Sequence, residues 1–199
     1  ATATIFVVPG SVNCLDHALT IANRTVTLAS AESAVRVNWN LHAQTAIFLS
    51  DAALTLRGFA ITNATGVRGG AISAVNSAIA LQDSSFVGCS ATERGGAVAS
   101  TWSAQLARPP SPALAIRRCQ FAQNSVRFRV TDTRVPVVAF SGGAVSLVTP
   151  SQTALTVTIA ACSFVENAVS GLLAVSVKSA VSASVNITAR GGALDFALL

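Results

Sequence analysis

Short aliphatic alternations punctuate this chain, and each is followed at a constant distance by an aromatic residue. Ile79-x-Leu81 leads to Phe86, Leu114-x-Ile116 to Phe121 and Val157-x-Ile159 to Phe164, the Phe lying seven residues after the first aliphatic each time. Leu54-x-Leu56 leading to Ile61 is a weaker copy. Such alternation has the two-residue period of a strand, one side chain in and the next out. Three residues beyond each Phe stand Cys89, Asn124 and Asn167, so the spacing predicts a short second strand carrying an inward Phe, then a turn.

A second element is a tetrapeptide of two glycines, an alanine and an aliphatic residue. Its four copies begin at the pairs Gly69-Gly70, Gly95-Gly96, Gly142-Gly143 and Gly191-Gly192 and end at Ile72, Val98, Val145 and Leu194. Paired glycines suit a corner where the backbone takes unusual dihedrals or where neighbouring segments approach too closely for a Cβ. The Ala-aliphatic that follows opens the next strand. A unit of this kind cannot bury its own apolar face, so units must stack, with backbone hydrogen bonds running between coils about 4.8 Å apart. The predicted fold is all-β: a right-handed parallel β-helix, or solenoid, in which the Phe residues lie over one another and Asn124 lies over Asn167.

The glycine pairs are separated by 26, 47 and 49 residues. Each long interval holds one Phe element, so each is read as a single coil carrying an insertion. Ser125–Ser141 and Ala168–Arg190 lengthen the corner before the glycines, and Ala99–Ala113, with Trp102, Pro109, Pro110 and Pro112, lengthens another. Insertions are therefore expected at two corners. One domain spanning residues 1–199 is expected, with 1–50 forming a cap and the first coils and 51–199 the repeat coils.

Near the N-terminus Thr4 to Val8 reads as a strand. Leu15, Ala18, Leu19 and Ala22 fall at the spacing of an amphipathic helix face, which predicts a short capping helix with Ser11 or Asn13 at its start. Val26-x-Leu28, Val35-x-Val37 and Ile47-x-Leu49 read as strands of the first coils. The final residues, Phe196 to Leu199, stop in mid-pattern, so further sequence or a partner is expected to cover that end.

The ordered recurrence of Gly-Gly-Ala-aliphatic and Phe-x-x-Asn resembles the polymorphic outer membrane protein repeat. Phe121–Asn124 and Phe164–Asn167 match its Phe-x-x-Asn element, whereas Phe86–Cys89 departs at the last position. The resemblance covers about Leu54 to Leu199, within the wider pectate-lyase-like β-helix superfamily. It implies an extracellular or cell-surface location and a structural or adhesive role in a larger assembly of protein subunits. The superfamily also contains polysaccharide lyases and glycosidases, so a carbohydrate-active β-helix is the alternative, and a non-catalytic glycan-binding module is a third reading.

Composition adjusts this picture modestly. Apolar residues make up 51% of the chain and charged residues 11%, with Ala and Val interleaved among Ser and Thr in strand-like fashion. No window is continuously apolar over the roughly 18 residues a membrane-spanning helix needs; Val169 to Val185 is interrupted by Lys178 and serines. The net charge is +5, carried by twelve Arg and one Lys against eight acids. That balance allows binding to an anionic polymer, although a solvated basic surface is the reading it favours.

The chemistry-bearing residues are sparse. Asp16, Glu32, Asp51, Asp83, Glu93, Asp132, Glu166 and Asp195 form no adjacent pair, which argues against paired-carboxylate catalysis. His17 and His42 have no partner at ligand or triad spacing, and the glycine pairs do not open helices, so no catalytic residue, metal or cofactor is expected. The Arg-Gly-Gly triplets are too few, and too poor in interleaved aromatics, for nucleic acid. Arg68, Arg94 and Arg190 each precede a glycine pair. Stacked in register, and flanked by Arg127 and Arg129, they would form a basic strip for acidic glycans or a protein, the alternative being a solvated corner. Cys119 and Cys162 both precede a repeat Phe by two residues, close enough once stacked for a disulfide, or for a pair of buried reduced thiols. Asn23, Asn63 and Asn186 lie in glycosylation sequons.

Overall fold

The computed structural model describes residues 1–7, 18–31, 37–40, 44–103, 113–127, 142–149, 156–170, 183–191 and 194–198, with only the backbone described over 37–40, 149, 170, 183–191 and 195–198. The described elements are all strands, and every pairing between them is parallel. They form one sheet of fourteen strands and one of six, an arrangement consistent with a β-helix or solenoid.

The predicted columns are present. In the larger sheet Val26, Leu54, Ile79, Leu114 and Val157 are successive register partners, as are Leu28, Leu56, Leu81, Ile116 and Ile159. In the six-stranded sheet Leu19, Ile47, Ile72, Val98, Val145 and Leu194 align in the same way. The inward columns meet in a continuous core in which Leu56, Ile61, Ile72, Leu81, Phe86, Ile116, Phe121 and Phe164 have no solvent exposure. Removing such side chains from water is the main stabilising contribution, about 1.5–3 kcal/mol each before chain entropy is counted.

Left-handed backbone turns separate the strands and recur at equivalent places. Asn23, Asp51 and Asn76 occupy one corner; Gly58, Asp83, Arg118 and Ala161 a second; Asn63, Gly88, Gln123 and Glu166 a third. The first glycine of each described pair occupies a fourth, with φ of 64° at Gly69, 60° at Gly95 and 64° at Gly142. The second glycine serves a different purpose. A Cβ on Gly96 would run into the carbonyl oxygen of Gly143 and into Ser125 of the next coil, and one on Gly70 would meet Gly96, Ser90 and Ala64 backbone oxygens. The first glycine is thus required for its dihedral angle and because a Cβ there would strike the carbonyl three residues on, and the second for coil-to-coil approach.

Two expectations are corrected. Leu19–Ala22 is a strand, not the end of a capping helix; its backbone pairs with Ile47–Ser50, and no helix is present among the described residues. Leu19 and Ile21 satisfy a two-residue alternation as well as a helical one, and the row of hydrogen bonds offered by the next coil decides between them. Leu15, Ser11 and Asn13 lie outside the described residues. Second, the interval between Val145 and Leu194 contains two passes along the larger sheet, because Ala183–Gly191 stacks on Thr156–Ser170. Ala113–Arg117 and Val145–Thr149 stack in register on Ala78–Gln82 and Val98–Thr101; residues 104–112 and 128–141, within the expected insertions, lie outside the described residues.

Candidate functional site

The repeat's signature side chains point into the stack. Phe86, Phe121 and Phe164 form a column with successive ring centroids 4.9 Å apart and interplanar angles of 11° and 4°. At the adjoining corner Asn124 Oδ1 accepts from the Cys89 N–H at 3.0 Å, and Asn167 Oδ1 accepts from the Asn124 N–H at 3.1 Å. The carboxamides donate to the carbonyls of Phe86 and Phe121, both at 3.0 Å. Ser77 and Ser84 act similarly, accepting the N–H groups of Ala52 and Phe59. These residues bond coil to coil and offer nothing to a ligand.

Cys119 and Cys162 follow the same logic. They sit one coil apart in the column that also holds Phe59 and Ser84, and the structure holds both as buried free thiols, not as a disulfide. Cys119 Sγ donates to the Arg117 carbonyl at 3.3 Å and Cys162 Sγ to that of Ala160 at 3.2 Å. A hydrogen bond to Cys162, and then burial, hold the Cys119 thiol above its ordinary range. Cys89 is a third buried free thiol, and burial pushes it up to about 12. Cys14 lies outside the described residues.

Charged groups lie at the corners and pair across coils. Asp83 accepts two hydrogen bonds from Arg118, from Nε at 2.6 Å and Nη2 at 2.9 Å, and lies 3.8 Å from Arg57. Glu166 accepts from Gln123 at 3.0 Å, and Asp51 from Ser50 at 3.0 Å. Exposed pairs of this kind contribute about 0–1 kcal/mol each. Asp16, Glu32, Asp132, His17 and His42 lie outside the described residues.

The expected arginine strip is not assembled as expected. Arg68 and Arg94 are register partners, but Arg68 Nε is bound to Glu93 Oε2 at 2.6 Å. Arg94 is half-buried with its Nε enclosed. Gly191 aligns with Asn167, which sets Arg190 beside the Asn corner and out of the Arg68–Arg94 row. Arg127 is exposed on the next coil; Arg129 and Gly192 lie outside the described residues. The sequon residues Asn23 and Asn63 are exposed at left-handed corners, with φ of 54° and 56°. Asn186 is described by backbone alone.

A feature that sequence reasoning missed lies beside Arg68. Thr65 donates its N–H to the Gln44 carbonyl at 3.1 Å, which makes Thr45 and Thr65 equivalent on successive coils, and Ile47 pairs with Ile72. The lower coil covers that interval in two residues where the upper coil takes seven. Beneath Gly66–Arg68 there is a notch, a cleft of about 490 Å³ bordered by Thr45, Phe48, Gly66, Val67, Arg68 and Ser73, in which the Thr45 hydroxyl lies under Gly66 and donates to the Gly69 carbonyl at 3.1 Å. Phe48 and Val67 are 43% and 59% exposed. The signal was available: Ala46-Ile47 repeats Ala71-Ile72 without the preceding glycines.

No family model, curated protein or solved structure matches the chain.

Proposed function

We propose that this chain is a non-catalytic structural or adhesive segment of an extracellular surface protein, a right-handed parallel β-helix of the polymorphic outer membrane protein repeat type. The right-handed wind is the expected hand for parallel crossover connections. The observation that carries the reading is the commitment of the repeat's Phe, Asn, Ser and Cys side chains to neighbouring coils, fully or almost fully buried. A repeat whose signature residues stack units is selected for length and rigidity, and its surface is left for partners. The sequon residues Asn23 and Asn63 stand outward at turns, where glycans would not disturb the stack.

Antibodies raised against the chain test location: they should label intact, unpermeabilised source cells. The purified chain should also be retained on immobilised matrix proteins or acidic glycans without releasing reducing ends from polygalacturonate or other polysaccharides. Release of reducing ends would establish the carbohydrate-active alternative, and labelling only after permeabilisation would end the surface reading.

A further inference from the structure

The corner that carries Gly58, Asp83, Arg118 and Ala161 collects arginine. Arg57, Gln82 and Arg117 are register partners on three successive coils, so Arg57 and Arg117 stand two coils, about 10 Å, apart. Arg118 follows at the turn. All three arginines are exposed, with 54% of the Arg57 side chain and 59% of the Arg118 side chain open to solvent. Among the described residues Asp83 is the one acid at this corner, the neighbouring coils placing Ala29 and Ser30 below and Ala160 and Ala161 above. The group therefore holds three positive charges against one.

Asp83 does not consume that excess. Its carboxylate is taken by Arg118 through hydrogen bonds of 2.6 and 2.9 Å, while Arg57 lies 3.8 Å away. Arg117 makes no hydrogen bond or ion pair among the described residues. On the strands leading to the corner the outward column is Thr27, Thr55, Ala80, Ala115 and Thr158, a low floor without aromatic rings. Arg57 and Arg117 are thus two free cations spaced along the stacking axis above a flat surface.

That arrangement selects among polyanions. An extended peptide repeats its same-face side chains at about 6.6 or 13 Å, on either side of the two-coil step. Single-stranded nucleic acid is held by aromatic stacking as well as charge, and the floor offers none. A sulfated polysaccharide needs only spaced cations. Its sulfate esters are weakly hydrated anions with several acceptor oxygens, suited to the planar and weakly hydrated guanidinium fork. The net charge of +5 attracts such a polymer over a longer range.

We propose that this corner is a binding site for a sulfated glycan, which lies along the coils with sulfate groups on Arg57 and Arg117. Arg118 neutralises Asp83, which would otherwise repel the polymer. The site gives a ligand class to the adhesive role proposed above and rests on that reading. Binding in solution is measured without reference to cell location, so its failure leaves the antibody-labelling result standing.

The test is fluorescence anisotropy of a labelled heparin hexasaccharide titrated with the whole chain. Saturable binding in the range of about 10–100 μM is expected at low ionic strength, weakening linearly in log Kd against log salt. Arg57→Ala and Arg117→Ala should each weaken binding about three- to tenfold and reduce the salt dependence by about one ion, while circular dichroism stays that of the parent. Asp83→Asn frees Arg118 and should strengthen binding at least about twofold. Arg127→Ala removes the same charge from an exposed position on a different strand and should change binding less than about twofold. If an alanine variant fails to fold, amide shifts in the isotope-labelled parent carry the test, with perturbations expected at Arg57, Gln82 and Arg117. No saturable binding up to about 1 mM, an equal loss in Arg127→Ala, or shifts confined to other corners would overturn the proposal. So would equally tight binding of an oligogalacturonate, which carries carboxylates in place of sulfates, or of duplex DNA.

Discussion

Asn167 Oδ1 accepts two hydrogen bonds from Asn124, one from its backbone N–H at 3.1 Å and one from its Nδ2 at 2.9 Å, and so ties two coils together at a corner with no access to water. Asn124 repeats part of this toward the coil below through the N–H of Cys89. Replacing Asn124 by Ala strands the Cys89 N–H and removes the donors to Phe86 O and Asn167 Oδ1. A buried unsatisfied group costs about 1–3 kcal/mol, so Asn124→Ala should lose about 3 kcal/mol or more in urea unfolding. Asn124→Leu, similar in volume, should not recover it. A loss under about 1 kcal/mol would mean the ladder contributes little.

The ladder stops one coil early. Cys89 occupies the equivalent corner, with Sγ 3.8 Å from the Ile61 carbonyl that a carboxamide there would reach. Cys89→Asn should therefore extend the ladder, donating to Ile61 O and accepting from the N–H of the residue below. A gain of about 1 kcal/mol is expected, seen as a rise in Tm of about 2–4 °C for a chain of this size. A lowered Tm would show that the lower coil lacks room for the amide.

Two glycines with the same sign of φ should respond oppositely to substitution. Gly88 has φ of 65°, an added Cβ there would meet only the Asn63 side chain, at Oδ1 3.0 Å away, and the same corner elsewhere carries Asn63, Gln123 and Glu166. Gly88→Asn should change stability by less than about 1 kcal/mol. At Gly95 a Cβ meets the Val98 carbonyl, so Gly95→Asn should cost about 3 kcal/mol or more despite the tolerance of Asn for left-handed backbone. Equal effects at both positions would refute the separation of dihedral strain from crowding within the corner.

The strands, the Phe and Asn columns and the glycine corners were legible because each rests on a local pattern repeated at constant spacing. What escaped depended on the neighbouring coil. Leu19 and Ala22 fit a helix until the pairing of Leu19 with Ile47 is known. Ala183–Gly191 went unrecognised because Ala189 stands where the other coils have Phe164 or Phe121. The partner of Arg68 is Glu93, 25 residues away, so the strip of Arg residues looked unpaired in the sequence. The missing glycines before Ala46 can be read by setting Ala46-Ile47 against Ala71-Ile72, but the notch they leave is placed only by the pairing of Thr45 with Thr65.

Cys89 also makes stability depend on pH. Its thiol is buried, and burial raises its pKa from 9.0 to about 12 in the folded chain. Between those values the unfolded chain releases the proton and the folded chain keeps it, so ionisation favours unfolding. The stabilisation is fully present below about pH 9 and is lost as pH climbs toward 12, with a total on the order of 4 kcal/mol. Cys119 and Cys162 titrate in the parent and in Cys89→Ala alike, so the difference between the two proteins isolates this residue. The parent should be the more stable at pH 8, with its advantage reduced by about 2–3 kcal/mol at pH 11 when urea midpoints are compared. Parallel stability curves across that interval would mean that water reaches the thiol in the folded state, and iodoacetamide labelling of Cys89 in the native protein would then be fast where burial predicts it to be slow.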